Sequence, residues 1–235
     1  MRSAQSLAVC QGLRDAGYHV IAVDASHSLN DVGSDLDQWM PADHANDLAD
    51  ALTWVQAHIK NLSRRFSVAG NSFGAYAALD VAAQYAASVD NVIAVCPITS
   101  GKNSLEARQK NAPAFLSTMA NVGFIDVPAD VNDLPAGKLT NRAWEEWRDH
   151  LDVFKAVQTL QSYNVKIGLI VGDKDIKTPV DHVRQLPGPL TIIKGANHSF
   201  TRKADELQAA VIDTIKQLNT QIPLPRRSAA APAGP

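Results

Sequence analysis

Apolar residues recur along this chain in two alternating periods. Residues 3–16 place Leu7, Cys10 and Leu13 at helical spacing, with Ser3 as the expected N-cap and Gly17 as the stop. Residues 19–23, His-Val-Ile-Ala-Val, are short, apolar and partly β-branched, which predicts a strand leaving into the polar loop 24–31. A helix is predicted from Pro41, carrying Leu48, Leu52, Val55 and Ile59 on one face. Further apolar runs at 66–69, 92–97, 166–171 and 190–193 read as strands, the second stopped by Pro97. An alanine-rich helical pattern follows the first of these. The closing helix aligns Leu207, Val211, Ile215 and Leu218. Strands that are apolar throughout, separated by amphipathic helices, predict an α/β fold: a mostly parallel sheet with helices on both faces.

The 235 residues, 46% of them hydrophobic, suit one domain over 1–222, with 223–235 too poor in large apolar groups to pack and expected as a disordered tail. Residues 100–152 form a long insertion between strands, holding Phe115, Met119, Phe124, Trp144 and Trp147. The net charge of −2, from 22 basic and 24 acidic residues spread through the chain, suggests neither nucleic acid nor an anionic membrane as partner. Cys10 and Cys96 fall on different elements and read as buried free thiols, not a disulfide framework or a zinc cluster. The N-terminus lacks the apolar core of a signal peptide, and no run approaches the ~20 residues of a membrane span. The sequence as it stands predicts a soluble, cytoplasmic protein. Its oligomeric state is not fixed by the sequence.

The chemistry gathers at three strand exits. The strand at 66–69 runs into Gly70-Asn71-Ser72-Phe73-Gly74 and then a helix, the spacing of a nucleophile elbow. Gly172-Asp173-Lys174-Asp175 offers carboxylates after a later strand, and Ala196-Asn197-His198 offers an imidazole after the last. A serine hydroxyl is a weak nucleophile near neutral pH; it needs a base to take its proton and a carboxylate to orient that base. Asp175 and Asp173 both qualify as the acid. His198 is the histidine directly after the last strand, whereas His27, His44, His58, His150 and His182 fall in predicted loops or helices, His182 beside Asp181 being the nearest rival.

On these motifs the chain resembles the α/β-hydrolase family, over residues 3 to about 219. The resemblance implies Ser72 as nucleophile, Asp175 as acid in preference to Asp173, His198 as general base, and the Phe73 N–H as an oxyanion donor. It implies a serine hydrolase acting on a small carboxylic ester, with thioester or amide also open, and with no metal or organic cofactor. A non-catalytic binding protein of the same fold, or an acyltransferase using the same residues, are the alternatives. More loosely, residues 18–34 are similar to small-ester hydrolases related to cinnamoyl and feruloyl esterases. Insertions at this place in the family often act as caps over an apolar pocket; the aromatics of 100–152 fit either a pocket wall or the packing of the insertion itself.

The family's order sets strands before the first helix, with a loop, often His-Gly, that supplies a second oxyanion donor. This sequence starts at that helix. The expectation is therefore an N-terminally incomplete version of a longer protein or, failing that, direct pairing of the 19–23 strand with the elbow strand, since a vacant slot in mid-sheet would orphan buried backbone groups.

Overall fold

A computed structural model of the chain describes residues 4–23, 40–59, 66–127 and 137–220. Helices α1 (Ala4–Asp15) and α2 (Pro41–His58) precede β1 (Phe66–Asn71), α3 (Phe73–Gln84) and β2 (Val89–Val95). Next come α4 (Gly101–Asn111), α5 (Pro113–Val122), β3 (Phe124–Val127), β4 (Gly137–Thr140) and α6 (Asn141–His150). The chain then returns to the body with α7 (Phe154–Ser162), β5 (Lys166–Gly172), α8 (Val180–Val183), β6 (Leu190–Ile193) and α9 (Ala204–Thr220).

Strands β1, β2, β5 and β6 form one parallel sheet in that spatial order. Its register sets Asn71, Val95, Ile170 and Thr191 in a single row, so the chain leaves all four strands at the same edge. That is where open parallel sheets carry their reactive groups. Helices α1 and α9 pack on each other and on the sheet, while α3 packs with α2 and α7 over β1 and β2. Covered in this way, Val92, Ile93, Ala94, Val95, Ile170 and Val171 are fully buried, which is why these strands show no polar alternation. The predicted face of α9, Leu207, Val211, Ile215 and Leu218, is likewise fully buried.

The strand expected at 19–23 does not form. Residues 18–23 adopt no regular structure, and Ile21 and Val23 are 53% and 39% exposed. Branched apolar residues favour extended backbone, but a strand also needs a ladder partner. Among the described residues β1 pairs with β2 alone, so direct pairing of 19–23 with the elbow strand is not what the fold adopts. The expected N-cap Ser3, the loop 24–31 and the tail 223–235 lie outside the described residues.

The insertion is closed at its base by a bridge between Ser100 and Asp152 and contains α4, α5, the antiparallel pair β3–β4 and α6. Met119, Trp144 and Trp147 are buried in it with Ile98 and Leu151, packed against Phe73 and Tyr76 of α3. Phe115 meets Trp144 edge-on at 5.2 Å, and the Lys138 ammonium lies 4.4 Å from the Phe124 ring centre. Met119, Trp144 and Trp147 thus serve as the insertion's own core, seated on the start of α3. No helix among the described residues is long and apolar enough to cross a membrane.

Candidate active site

Ser72 stands between the end of β1 and the start of α3 with φ 55° and ψ −117°, backbone angles that cost a non-glycine residue about 1–3 kcal/mol. The neighbours hold it there. Its N–H donates to the Val95 carbonyl at 2.9 Å, and its own carbonyl accepts from the amides of Ala75 and Tyr76 at 3.1 and 3.3 Å. The turn is so tight that a Cβ on Gly70 would lie 2.0 Å from the Gly74 carbonyl oxygen. Gly74 is different, because a Cβ there would meet nothing within 4 Å. Only the first glycine of the motif is sterically required. Phe73 is the first residue of α3, so its N–H lies in the first turn, the end of a helix that faces anions.

Asp175 lies in the turn after β5, 5% exposed. Its Oδ1 accepts from the amides of Lys177 and Thr178 at 2.8 and 2.9 Å, and its Oδ2 accepts from the Thr178 hydroxyl. Burial alone would raise its pKa, but the hydrogen bond and charge of His198, together with the Thr178 contacts, outweigh it and hold the carboxyl at about 2. The two strand exits are tied to each other. Lys174 N–H donates to the Ala196 carbonyl at 2.9 Å, Asp173 N–H donates to the Ile193 carbonyl at 3.2 Å, and the Asp173 carboxylate accepts from the Gly195 amide at 2.6 Å. Asp173 therefore braces the loop that carries the histidine, while Asp175 meets the histidine itself.

His198 Nδ1 lies 2.8 Å from Asp175 Oδ2, and His198 Nε2 lies 2.9 Å from Ser72 Oγ. A carboxylate can only accept, so Nδ1 carries the proton and Nε2 is left as acceptor for the serine hydroxyl. Of the other histidines, His58 and His150 are exposed, His182 sits on α8, and His27 lies outside the described residues.

Two neighbours of this constellation were not evident from sequence. Cys96, at the exit of β2, is buried with φ 45°, its Sγ within 4.8 Å of both an Asp175 oxygen and a His198 nitrogen. Its position one residue beyond β2 is the only signal that could have found it. Burial, then the Asp175 charge, push the thiol's pKa well up. A metal here would need a spare carboxylate lone pair and a free imidazole nitrogen, but the Asp175 oxygens are engaged by His198, Thr178 and Lys177, and the two His198 nitrogens face Asp175 and Ser72. The donor set does not suit an ion. The second is His44 of α2, stacked on Phe73 at 6.0 Å; Trp147 meets the same ring edge-on at 4.4 Å. The residue after Ser72 is thus held between α2 and the insertion.

The model of the alpha/beta hydrolase family matches residues 4–214. No curated protein matches the sequence. Among solved structures, Est1E from Butyrivibrio proteoclasticus with ferulic acid bound superposes with a TM-score of 0.66 at 15% identity, covering 92% of this chain and 84% of that one. A monoacylglycerol lipase from Paleococcus ferrophilus gives 0.60 at 16% identity, over 89% and 88% of the two chains. A lidless α/β serine hydrolase from Xanthomonas campestris gives 0.54 at 17% identity, over 92% and 74%. At these identities the likeness is one of fold.

Proposed function

This chain belongs to the α/β-hydrolase family, and we propose that within it the protein is a serine hydrolase cleaving a small carboxylic ester through an acyl-enzyme on Ser72. The observation that carries the reading is that one imidazole, His198, reaches Ser72 Oγ at 2.9 Å and Asp175 Oδ2 at 2.8 Å through its opposite nitrogens. A binding module has no physical need for that alignment.

In the proposed reaction His198 Nε2 takes the Ser72 proton as Oγ attacks the ester carbonyl, and Asp175 stabilises the imidazolium that results. The Phe73 N–H would donate to the developing oxyanion, a contribution of about 10²- to 10³-fold in rate for one such donor. Collapse of the tetrahedral species expels the alcohol, which takes the proton from His198. Water, activated by the same imidazole, then attacks the acyl-enzyme and releases the acid. The role needs no metal or organic cofactor. Ester hydrolysis by the purified chain and its Ser72→Ala variant tests this: turnover should disappear in a variant that keeps the wild-type circular dichroism, and retained turnover would place the nucleophile elsewhere.

A further inference from the structure

Among the described residues, the insertion's aromatic core holds a cation that no anion meets. Arg108, in the last turn of α4, places its guanidinium carbon 3.8 Å from the ring centre of Phe115, 4.5 Å from that of Trp147 and 5.4 Å from that of Trp144. Charges taken out of water are normally paired. Among the described residues, however, no hydrogen bond or ion pair reaches the Arg108 side chain, and its Nε is fully buried without an acceptor. The adjoining Trp147 Nε1–H is buried and unsatisfied too, so this cluster holds two orphaned donors. Desolvation lowers the Arg108 pKa to about 10, which leaves the side chain cationic at neutral pH.

The rings do not replace the missing partner. Cation–π contacts engage the faces of a guanidinium. Its in-plane N–H fork, the part that matches a carboxylate, stays unused. Arg108 as a whole is only partly buried and Nε is the nitrogen shut off, so the outer fork keeps a route to solvent. The rings hold the side chain still, which lowers the ordering cost of recognising an anion. Its place is also specific. Trp147, against which the guanidinium lies, packs edge-on at 4.4 Å on Phe73, the residue after Ser72.

From this arrangement we propose that Arg108 binds an ionised carboxylate on the substrate, so that the preferred esters carry an acidic group in addition to the bond that is cleaved. The inference rests on the serine-hydrolase reading above and narrows its substrate class.

Two matched pairs of probes test it. The mono-4-nitrophenyl ester of glutaric acid against 4-nitrophenyl pentanoate puts the carboxylate on the acyl side; 3-acetoxybenzoate against phenyl acetate puts it on the alcohol side. Wild type should favour the charged member of at least one pair in kcat/KM. Arg108→Met should lower that kcat/KM by about 30-fold or more, the scale of losing one partner of a shielded charge pair, while changing the neutral ester less than about 3-fold. Arg108→Lys, which keeps the charge and loses the fork, should retain part of the preference. Equal rates on both members of both pairs in wild type, or an equal fall on charged and neutral esters in Arg108→Met, would overturn the inference and leave the hydrolase reading standing. Failure of folded wild type to turn over any of the four esters would overturn both.

Discussion

The carbonyl oxygen of Ala196 occupies the space a side chain on Gly172 would need: a Cβ there would stand 2.1 Å from it. The turn bearing Asp175 and the loop bearing His198 are packed backbone against backbone at this point. Gly172→Ala must push them apart. We expect a loss of about 1–3 kcal/mol of stability from the overpacking and a fall of about 100-fold in ester turnover from misalignment of His198. Gly74→Ala, at the other end of the chemistry, meets open space in a helix and should leave the thermal midpoint and turnover within error of wild type. Melting curves and kcat for the pair check both; an active, stable Gly172→Ala enzyme would show that the two exits are not rigidly coupled.

The two acidic residues after β5 should separate cleanly. Asp175→Asn removes the carboxylate that fixes the tautomer of His198, and kcat should drop by about 10⁴-fold. Asp173→Asn keeps an oxygen that can still accept from the Gly195 amide, so kcat should stay within about 10-fold. Comparable losses in the two variants would mean that the acid is shared or wrongly assigned.

Acid should weaken the fold in two steps. Burial lowers the His44 pKa from 6.5 to about 4, against the pull of Asp43 and Asp47. Between those values the unfolded chain takes up a proton that the folded chain refuses. Stability therefore falls as pH drops from about 6.5 to 4, by about 2 kcal/mol once solvent screening of the partly exposed ring is allowed for. The second step belongs to Asp175, whose folded pKa of about 2 lies below its ordinary 3.8. Its contribution, about 2 kcal/mol, is complete above pH 4 and lost as pH falls toward 2. Urea titrations across this range should show both steps, and His44→Gln should remove the first alone. A His44→Gln profile that overlays wild type would contradict the assignment.

The parts of this fold that were legible in sequence are those decided locally. The apolar runs at 92–97 and 166–171, which overlap β2 and β5, the α9 face of Leu207, Val211, Ile215 and Leu218, and the Gly70-x-Ser72 turn each carry their own signal. The family pattern favoured Asp175 over Asp173, and the structure brings Asp175 to His198. What sequence misjudged or left open was decided by contacts between distant segments. Residues 19–23 have strand composition, yet pairing requires a neighbour, which composition cannot supply. The motif's two glycines look equivalent, and only the fold reveals that Gly70 meets Gly74 while Gly74 meets nothing. Arg108 reads as an ordinary helix-terminal cation. Its lack of an anionic partner among the described residues emerges only when α4, α5 and α6 bring Phe115, Trp144 and Trp147 around it. The same packing accounts for Phe115, Trp144 and Trp147, which sequence could not divide between pocket wall and core.

Covalent labelling with a fluorophosphonate serine probe measures directly whether Ser72 is an activated nucleophile. One adduct per chain is expected, mapped to Ser72 by peptide mass spectrometry, absent in Ser72→Ala and strongly reduced in His198→Ala. An unlabelled but folded wild-type protein, or an adduct on any other residue, would contradict it.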